Sequence, residues 1–155
     1  MTKNMKFIFK NEKETLAFAE KFAKKLRGGE VIALIGELGA GKTVFTKGLA
    51  RGFGIRERVQ SPTFLLMKIY DTKSRKTAKT QRIKFLCHVD AYRLGGAAGL
   101  IDIGLLDWLG RADTVTVIEW ADKVQELLRG KKVIKIKMEL GKKKEERIVE
   151  VKSNE

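Results

Sequence analysis

Cysteine, histidine and proline each occur once in the 155 residues, aromatic residues make up 8%, and acids are outnumbered by bases, 19 to 33. Each scarcity removes a class of protein. A single thiol, Cys87, closes no internal disulfide, which takes away the usual staple of small extracellular domains and favours a reducing cytoplasm. One thiol and one imidazole, His88, do not complete a His/Cys zinc site. No window approaches the roughly 20 apolar residues of a membrane span. The amino-terminal MTKNMKFIFK interrupts its apolar pairs with lysine, unlike the unbroken h-region of a signal peptide. Secretion and membrane insertion are therefore not expected. An NKxD segment, the guanine-reading signature of GTPases, is also missing, which disfavours that class.

What remains is enough apolar material for a core, 43% hydrophobic against 34% charged residues, in a length suited to a single domain spanning 1–155. The net charge of +14 is unevenly spread. Residues 68–84 hold seven bases (Lys68, Lys73, Arg75, Lys76, Lys79, Arg82, Lys84) against one acid, whereas 85–130 hold four bases against seven acids. The basic insert, 71–84, contains the polar stretch DTKSRKTAKTQ and reads as a long loop between strands, either solvated or in contact with RNA phosphates. The acids of the middle third are the place to expect metal chemistry.

Hydrophobic periodicity alternates between the two regular structures. Asn11 with Glu14 resembles a capping box, and Leu16, Ala19, Ala23 and Leu26 share one helical face, so a first helix is expected to about Leu26. Val31 to Ile35 is a short continuous apolar run, the pattern of a strand buried on both faces. A helix is expected from about Gly41 or Lys42 toward Gly52. Further strands are expected at Phe64 to Tyr70, Phe85 to Val89 and Val115 to Trp120, with helical pattern from about Leu100 to Leu109. The segment 133–151 reads as an antiparallel hairpin. Together these predict an α/β fold: a three-layer P-loop sandwich with a mostly parallel sheet and an appended C-terminal hairpin.

Between the first buried strand and the second helix stands Gly36-Glu37-Leu38-Gly39-Ala40-Gly41-Lys42-Thr43, which matches GxxxxGK[ST] in full. Its glycines let backbone N–H groups turn inward on an anion, the helix behind adds the positive end of its dipole, Lys42 brings a charge to terminal phosphates, and the Thr43 hydroxyl can ligate magnesium. A nucleoside triphosphate needs that cation held, and Glu119, at the end of the Val115 to Ile118 run, is positioned for the task; otherwise it is a solvated acid before a helix. Asp90 also ends an apolar run and can order or deprotonate an attacking water, or start a turn. His88 alternates with Asp90 and so points to the same sheet face, as a packed residue or a participant. Cys87 points the other way, toward core. Thr63, in Ser61-Pro62-Thr63-Phe64, occupies the place of a switch threonine that senses γ-phosphate, or simply begins a strand.

The set GELGAGKT, SPTF, His88-Val89-Asp90-Ala91-Tyr92-Arg93-Leu94 and Ile118-Glu119-Trp120 resembles the TsaE (YjeE) family of small bacterial P-loop ATPases, over roughly Asn11 to Leu128. The resemblance implies a cytoplasmic, magnesium-dependent ATPase, slow alone, that works with the TsaD and TsaB proteins in forming N6-threonylcarbamoyladenosine on tRNA, with the transferase site on TsaD. The tRNA would be met through that complex; neither membrane nor DNA is implied. By position, Glu37, Leu38, Gly39, Ala40, Gly41, Lys42 and Thr43 match the ATP loop. Thr43 and Glu119 match the Mg2+ residues, Lys42, Thr63, Asp90 and Glu119 the catalytic group, and Trp120 the aromatic neighbour. Arg93 is open to a catalytic or a contact role, and Trp120 to stacking on a base or packing. Two other functions stay open on the residues alone: a small-molecule kinase of the shikimate-kinase type, and a nucleotide-dependent RNA-binding module.

Overall fold

Most of the expected apolar runs become strands of one mixed sheet or helix faces packed on it in a computed structural model that describes residues 2–72 and 82–154. Positions 73–81 of the basic insert, with Lys73, Arg75, Lys76 and Lys79, lie outside the described residues. The strands are β1 (Thr2–Phe9), β2 (Glu30–Ile35), β3 (Met67–Asp71), β4 (Phe85–Asp90), β5 (Thr114–Glu119), β6 (Lys132–Leu140) and β7 (Arg147–Asn154). Helices are α1 (Glu12–Ala23), α2 (Lys42–Gly52) and α3 (Ala98–Asp102), with 3-10 segments at Leu105–Asp107 and Ala121–Leu128. The sheet order is β1-β7-β6-β2-β5-β4-β3. Its four central strands, β6, β2, β5 and β4, run parallel, while β7 and β3 are antiparallel to their inner neighbours and β1 to β7.

The two faces of that sheet carry separate cores, which makes the three layers. One joins Ile32, Leu34, Leu86, Val115 and Val117 to α1 and α2 through Ala19, Phe45 and Leu49. The other joins Val31, Ala33, Cys87, Val89 and Ile118 to α3 and the 3-10 segments through Leu100, Leu105 and Val124. Cys87 lies in this second core as expected, and burial pushes its thiol up to about 12. On the first face the helices meet closely because two positions lack a side chain. A Cβ on Gly48 would fall 2.5 Å from Ala19 Cβ, and one on Gly52 2.5 Å from Ala23 Cβ.

Local signals explain most boundaries. The Asn11 side chain accepts from the Glu14 N–H at 3.1 Å, and the Glu14 carboxylate accepts from Lys10 N–H at 2.6 Å, so the capping residues are engaged at the start of α1. α1 ends at Ala23, a turn before the expected Leu26. The helical pattern at 100–109 is divided by Gly104, whose φ of +89° interrupts it between α3 and the 3-10 turn. Strand β3 begins at Met67 rather than Phe64. Residues Pro62 to Leu66 form a turn closed by Leu66 N–H to Pro62 O at 2.6 Å, leaving Phe64 84% and Leu65 70% exposed. The hairpin of β6 and β7 is continuous with the main sheet, since β6 pairs in parallel with β2 along Glu30 to Ile35. β1, for which no strand was expected, extends the sheet beyond β7.

Candidate functional site

The residues with chemical capability gather at the carboxyl ends of β2, β4 and β5, where an open parallel sheet leaves a crevice between its crossovers. Gly36 follows β2 and must be glycine for space: a Cβ there would lie 2.4 Å from Met138 O on β6. Gly41 caps α2 with φ of +101°, a conformation that side chains avoid, and Gly39 has φ of +81°. The loop from Glu37 to Ala40 is closed by Ala40 N–H to Glu37 O at 3.0 Å, and α2 opens with Phe45 N–H to Gly41 O at 2.9 Å. Glycine turns leading into a helix N-terminus of 11 residues form a concavity suited to phosphate.

Lys42 lies across this loop. Its Nζ donates to Gly36 O at 2.6 Å and Glu37 O at 2.8 Å, and sits 4.2 Å from the centre of the Trp120 ring. Burial lowers its pKa from the ordinary lysine value, while Glu119, Asp90 and Asp122 act in the opposite sense. An ammonium held on carbonyls and an aromatic face has few solvent partners to lose when an anion arrives. Trp120 is itself unusual: it is bulky and has φ of +59°, a conformation that costs energy and recurs at functional sites. Its ring also stands 5.0 Å from that of Tyr92, and Lys123 Nζ lies 5.1 Å and 5.5 Å from the two ring centres.

Asp90 and Glu119 are brought side by side because β4 and β5 pair in parallel with these two residues in register. Both are buried. The Thr43 hydroxyl donates to Glu119 Oε1 at 2.9 Å, and His88 Nε2 stands 2.6 Å from Oε2. Asp90 accepts the Ser61 hydroxyl, and the Thr63 hydroxyl at 3.1 Å, on Oδ2, and the Tyr92 N–H at 2.9 Å on Oδ1. The expected residues thus form two hydrogen-bonded pairs, Thr43 with Glu119 and Thr63 with Asp90, on adjacent strand ends, and Lys42 lies on the loop carbonyls and the Trp120 ring beside them, whereas the guanidinium of Arg93 lies over Phe64 at 4.4 Å. Leu38 projects into solvent from the loop.

Two connections went unanticipated. Ser61 joins Thr63 on Asp90, and His88 reaches Glu119 rather than merely sharing a face with Asp90. The Ser-Pro-Thr spacing, with hydroxyls two residues apart, was a usable signal for the first. The second depends on strand register. A cavity of about 490 Å³ also opens beside Gly36 and Glu37, between Trp120 and the end of β6 from Lys137 to Leu140.

The donor set around Thr43 and Glu119 fits magnesium. It offers a hydroxyl and a carboxylate oxygen 2.9 Å apart, both hard, as suits an ion that keeps several waters and takes one or two carboxylates plus substrate phosphates. Among the described residues no group of three or more His, Cys, Asp or Glu forms an all-protein cage. None of the described helices is long and apolar enough to cross a membrane.

Comparison with known proteins gives a consistent result. Residues 9–149 match the family model described as threonylcarbamoyl adenosine biosynthesis protein TsaE. A Streptomyces coelicolor protein named tRNA threonylcarbamoyladenosine biosynthesis protein TsaE is 40% identical over 78% of this chain and 77% of its own length. One of the same name from Bacillus subtilis is 37% identical over 81% of this chain and 72% of its own. The crystal structure of Bacillus subtilis YdiB superposes with a TM-score of 0.76 at 31% identity, covering 99% of this chain and 87% of that one.

Proposed function

This chain belongs to the TsaE family, and from that premise we propose that it is an ATP-binding and ATP-hydrolysing subunit serving N6-threonylcarbamoyladenosine formation on tRNA, acting in the cytoplasm on a complex of TsaD and TsaB proteins. The names of its relatives support the pathway. The hydrolytic part rests on one observation above the others: the Thr43 hydroxyl and the Glu119 carboxylate meet at 2.9 Å beside a glycine loop that ends in Lys42. The single sheet that joins the seven strands of the described residues supports treating 1–155 as a single ATPase domain.

In this reading the backbone from Glu37 to Thr43 wraps the β- and γ-phosphates, and Lys42 exchanges its carbonyl partners for phosphate oxygens. The adjoining cavity of about 490 Å³ has room for the nucleoside. Thr43 and Glu119 would hold magnesium, which would supply neutralisation of charge on the phosphate oxygens. Asp90 carries little freedom, since its two oxygens already accept three hydrogen bonds. Of the roughly four acceptor positions of a carboxylate one remains, and in this reading it orients the attacking water. That water adds to the γ-phosphorus as the bond to the β-phosphate oxygen breaks, and its proton passes to an oxygen of the transferred phosphoryl group, leaving ADP and inorganic phosphate. Thr63 and Ser61 tie the segment before β3 to Asp90, so that segment is placed to respond to the γ-phosphate, as switch loops do.

The test is capture by purified TsaD and TsaB proteins with and without ATP and magnesium. Nucleotide-dependent capture is expected. Retention indifferent to nucleotide, or none at all, removes the partner assignment.

A further inference from the structure

We propose that His88 is a positioning residue that fixes the Glu119 carboxylate for the nucleotide-bound divalent cation. The role deepens the ATPase reading and rests on it. His88 lies in β4 opposite Val117 of β5, two residues before the Asp90–Glu119 pair, and is fully buried. Its Nε2 is 2.6 Å from Glu119 Oε2, while the Thr43 hydroxyl holds Oε1 at 2.9 Å. One donor on each oxygen fixes both the position and the plane of the carboxylate, which a single contact leaves free to rotate. A ligating carboxylate held in this way presents its remaining lone pairs in a set direction.

Holding a cation-binding carboxylate requires one tautomer. An ionised carboxylate only accepts, so the proton shared with Glu119 belongs to Nε2. Nδ1, the acceptor in that tautomer, is buried with no hydrogen-bond partner among the described residues. Packing alone gives no reason for an imidazole at this place. Position 88 has Val117 across from it on β5, Lys68 across from it on β3 and the buried Leu86 two residues before it, and a half-satisfied buried polar group is worse for stability than an apolar one. The contact to Glu119 supplies the reason.

His88 is the sole histidine, so 15N labelling of imidazole in the full chain yields one pair of ring signals. A protonated Nε2 and a bare Nδ1 are expected, and a protonated Nδ1 overturns the assignment. Function is read from the Mg2+ concentration that half-saturates ATP hydrolysis, beside ATP affinity measured in EDTA, for the parent and for His88→Gln, His88→Asn and His88→Leu. Gln carries a donor at the reach of Nε2, whereas Asn stops short and Leu has none. His88→Asn and His88→Leu are expected to need about tenfold more Mg2+ or beyond, His88→Gln to stay within about threefold of the parent, and metal-free affinity to change less than about twofold. Should His88→Leu fail to fold, the two amide variants decide: equal Mg2+ demand in Gln and Asn overturns the role. A parent that neither binds nor hydrolyses ATP removes the ATPase reading and this role together. An active parent whose variants keep its Mg2+ demand removes the role of His88 alone.

Discussion

The glycine loop and the acidic wall across from it are built on different plans. From Gly36 to Thr43 the loop is one contiguous segment, and most of its shape is local: left-handed glycines, one closing hydrogen bond and a helix start, with the hairpin touching it where Met138 O crowds Gly36 and Arg147 donates to Gly39 O at 3.1 Å. The wall is assembled from β4, β5 and the Ser61–Thr63 turn, and it exists only because two parallel strands align Asp90 with Glu119. A local device tolerates little change in sequence but needs little from the fold. An assembled one depends on register, so its residues hold each other in place: His88 and Thr43 on Glu119, Ser61 and Thr63 on Asp90.

The sharpest way to separate the two is to remove one charge from the loop. Lys42→Ala is expected to weaken ATP binding and hydrolysis together, with kcat/KM falling on the order of a hundredfold or more, read by nucleotide titration and steady-state kinetics. An unchanged affinity would place the phosphates elsewhere. Next in size is Ser61→Ala, which withdraws one of three donors from Asp90; hydrolysis should fall by about tenfold while ATP affinity holds, because the wall and not the loop is touched. Equal losses in both would mean that the two regions are not separable.

Structure rather than chemistry is probed by Gly36→Ala, which drives a Cβ to 2.4 Å from Met138 O and should destabilise the fold by about 1–3 kcal/mol in urea unfolding. Gly39→Ala meets no atom within 4 Å and carries only the cost of its φ of +81°, about 1–2 kcal/mol. A larger loss at Gly39 than at Gly36 would contradict the view that the β6 contact sets the loop's base.

The smallest effect is electrostatic. Burial depresses the Lys42 pKa in the native state, so between that value and the unfolded one the native state binds fewer protons, and stability rises with pH across that window. Below it the native state carries the full penalty of a desolvated charge. Lys42→Met lacks this group, so the stability of the parent relative to Lys42→Met should rise as pH climbs toward the lysine range, in paired denaturation series. A difference independent of pH would show that the two loop carbonyls fully compensate for burial.

The same contrast explains what was legible in the sequence. The loop was readable residue by residue, as were β2, α2 and the C-terminal hairpin, since each is specified by neighbours along the chain. Glu119 and Asp90 were recognisable as strand-end acids, but the bond from His88 to Glu119 was not, because it requires knowing that His88 lies opposite Val117. β1 escaped notice because lysines interrupt its apolar residues; it is completed by pairing with β7, far away in sequence. The run at Phe64 looked like strand by composition. The turn closed on Pro62 and the φ of +65° at Leu66 hold it out of the sheet, and neither is written in hydrophobicity.

Steady-state ATP hydrolysis across a magnesium titration, parent against Glu119→Ala, most directly tests the pairing of loop and wall. The Thr43–Glu119 contact predicts that Glu119→Ala still binds ATP but loses magnesium-dependent turnover, on the order of a hundredfold or more. Parent-like turnover at every magnesium concentration would contradict it.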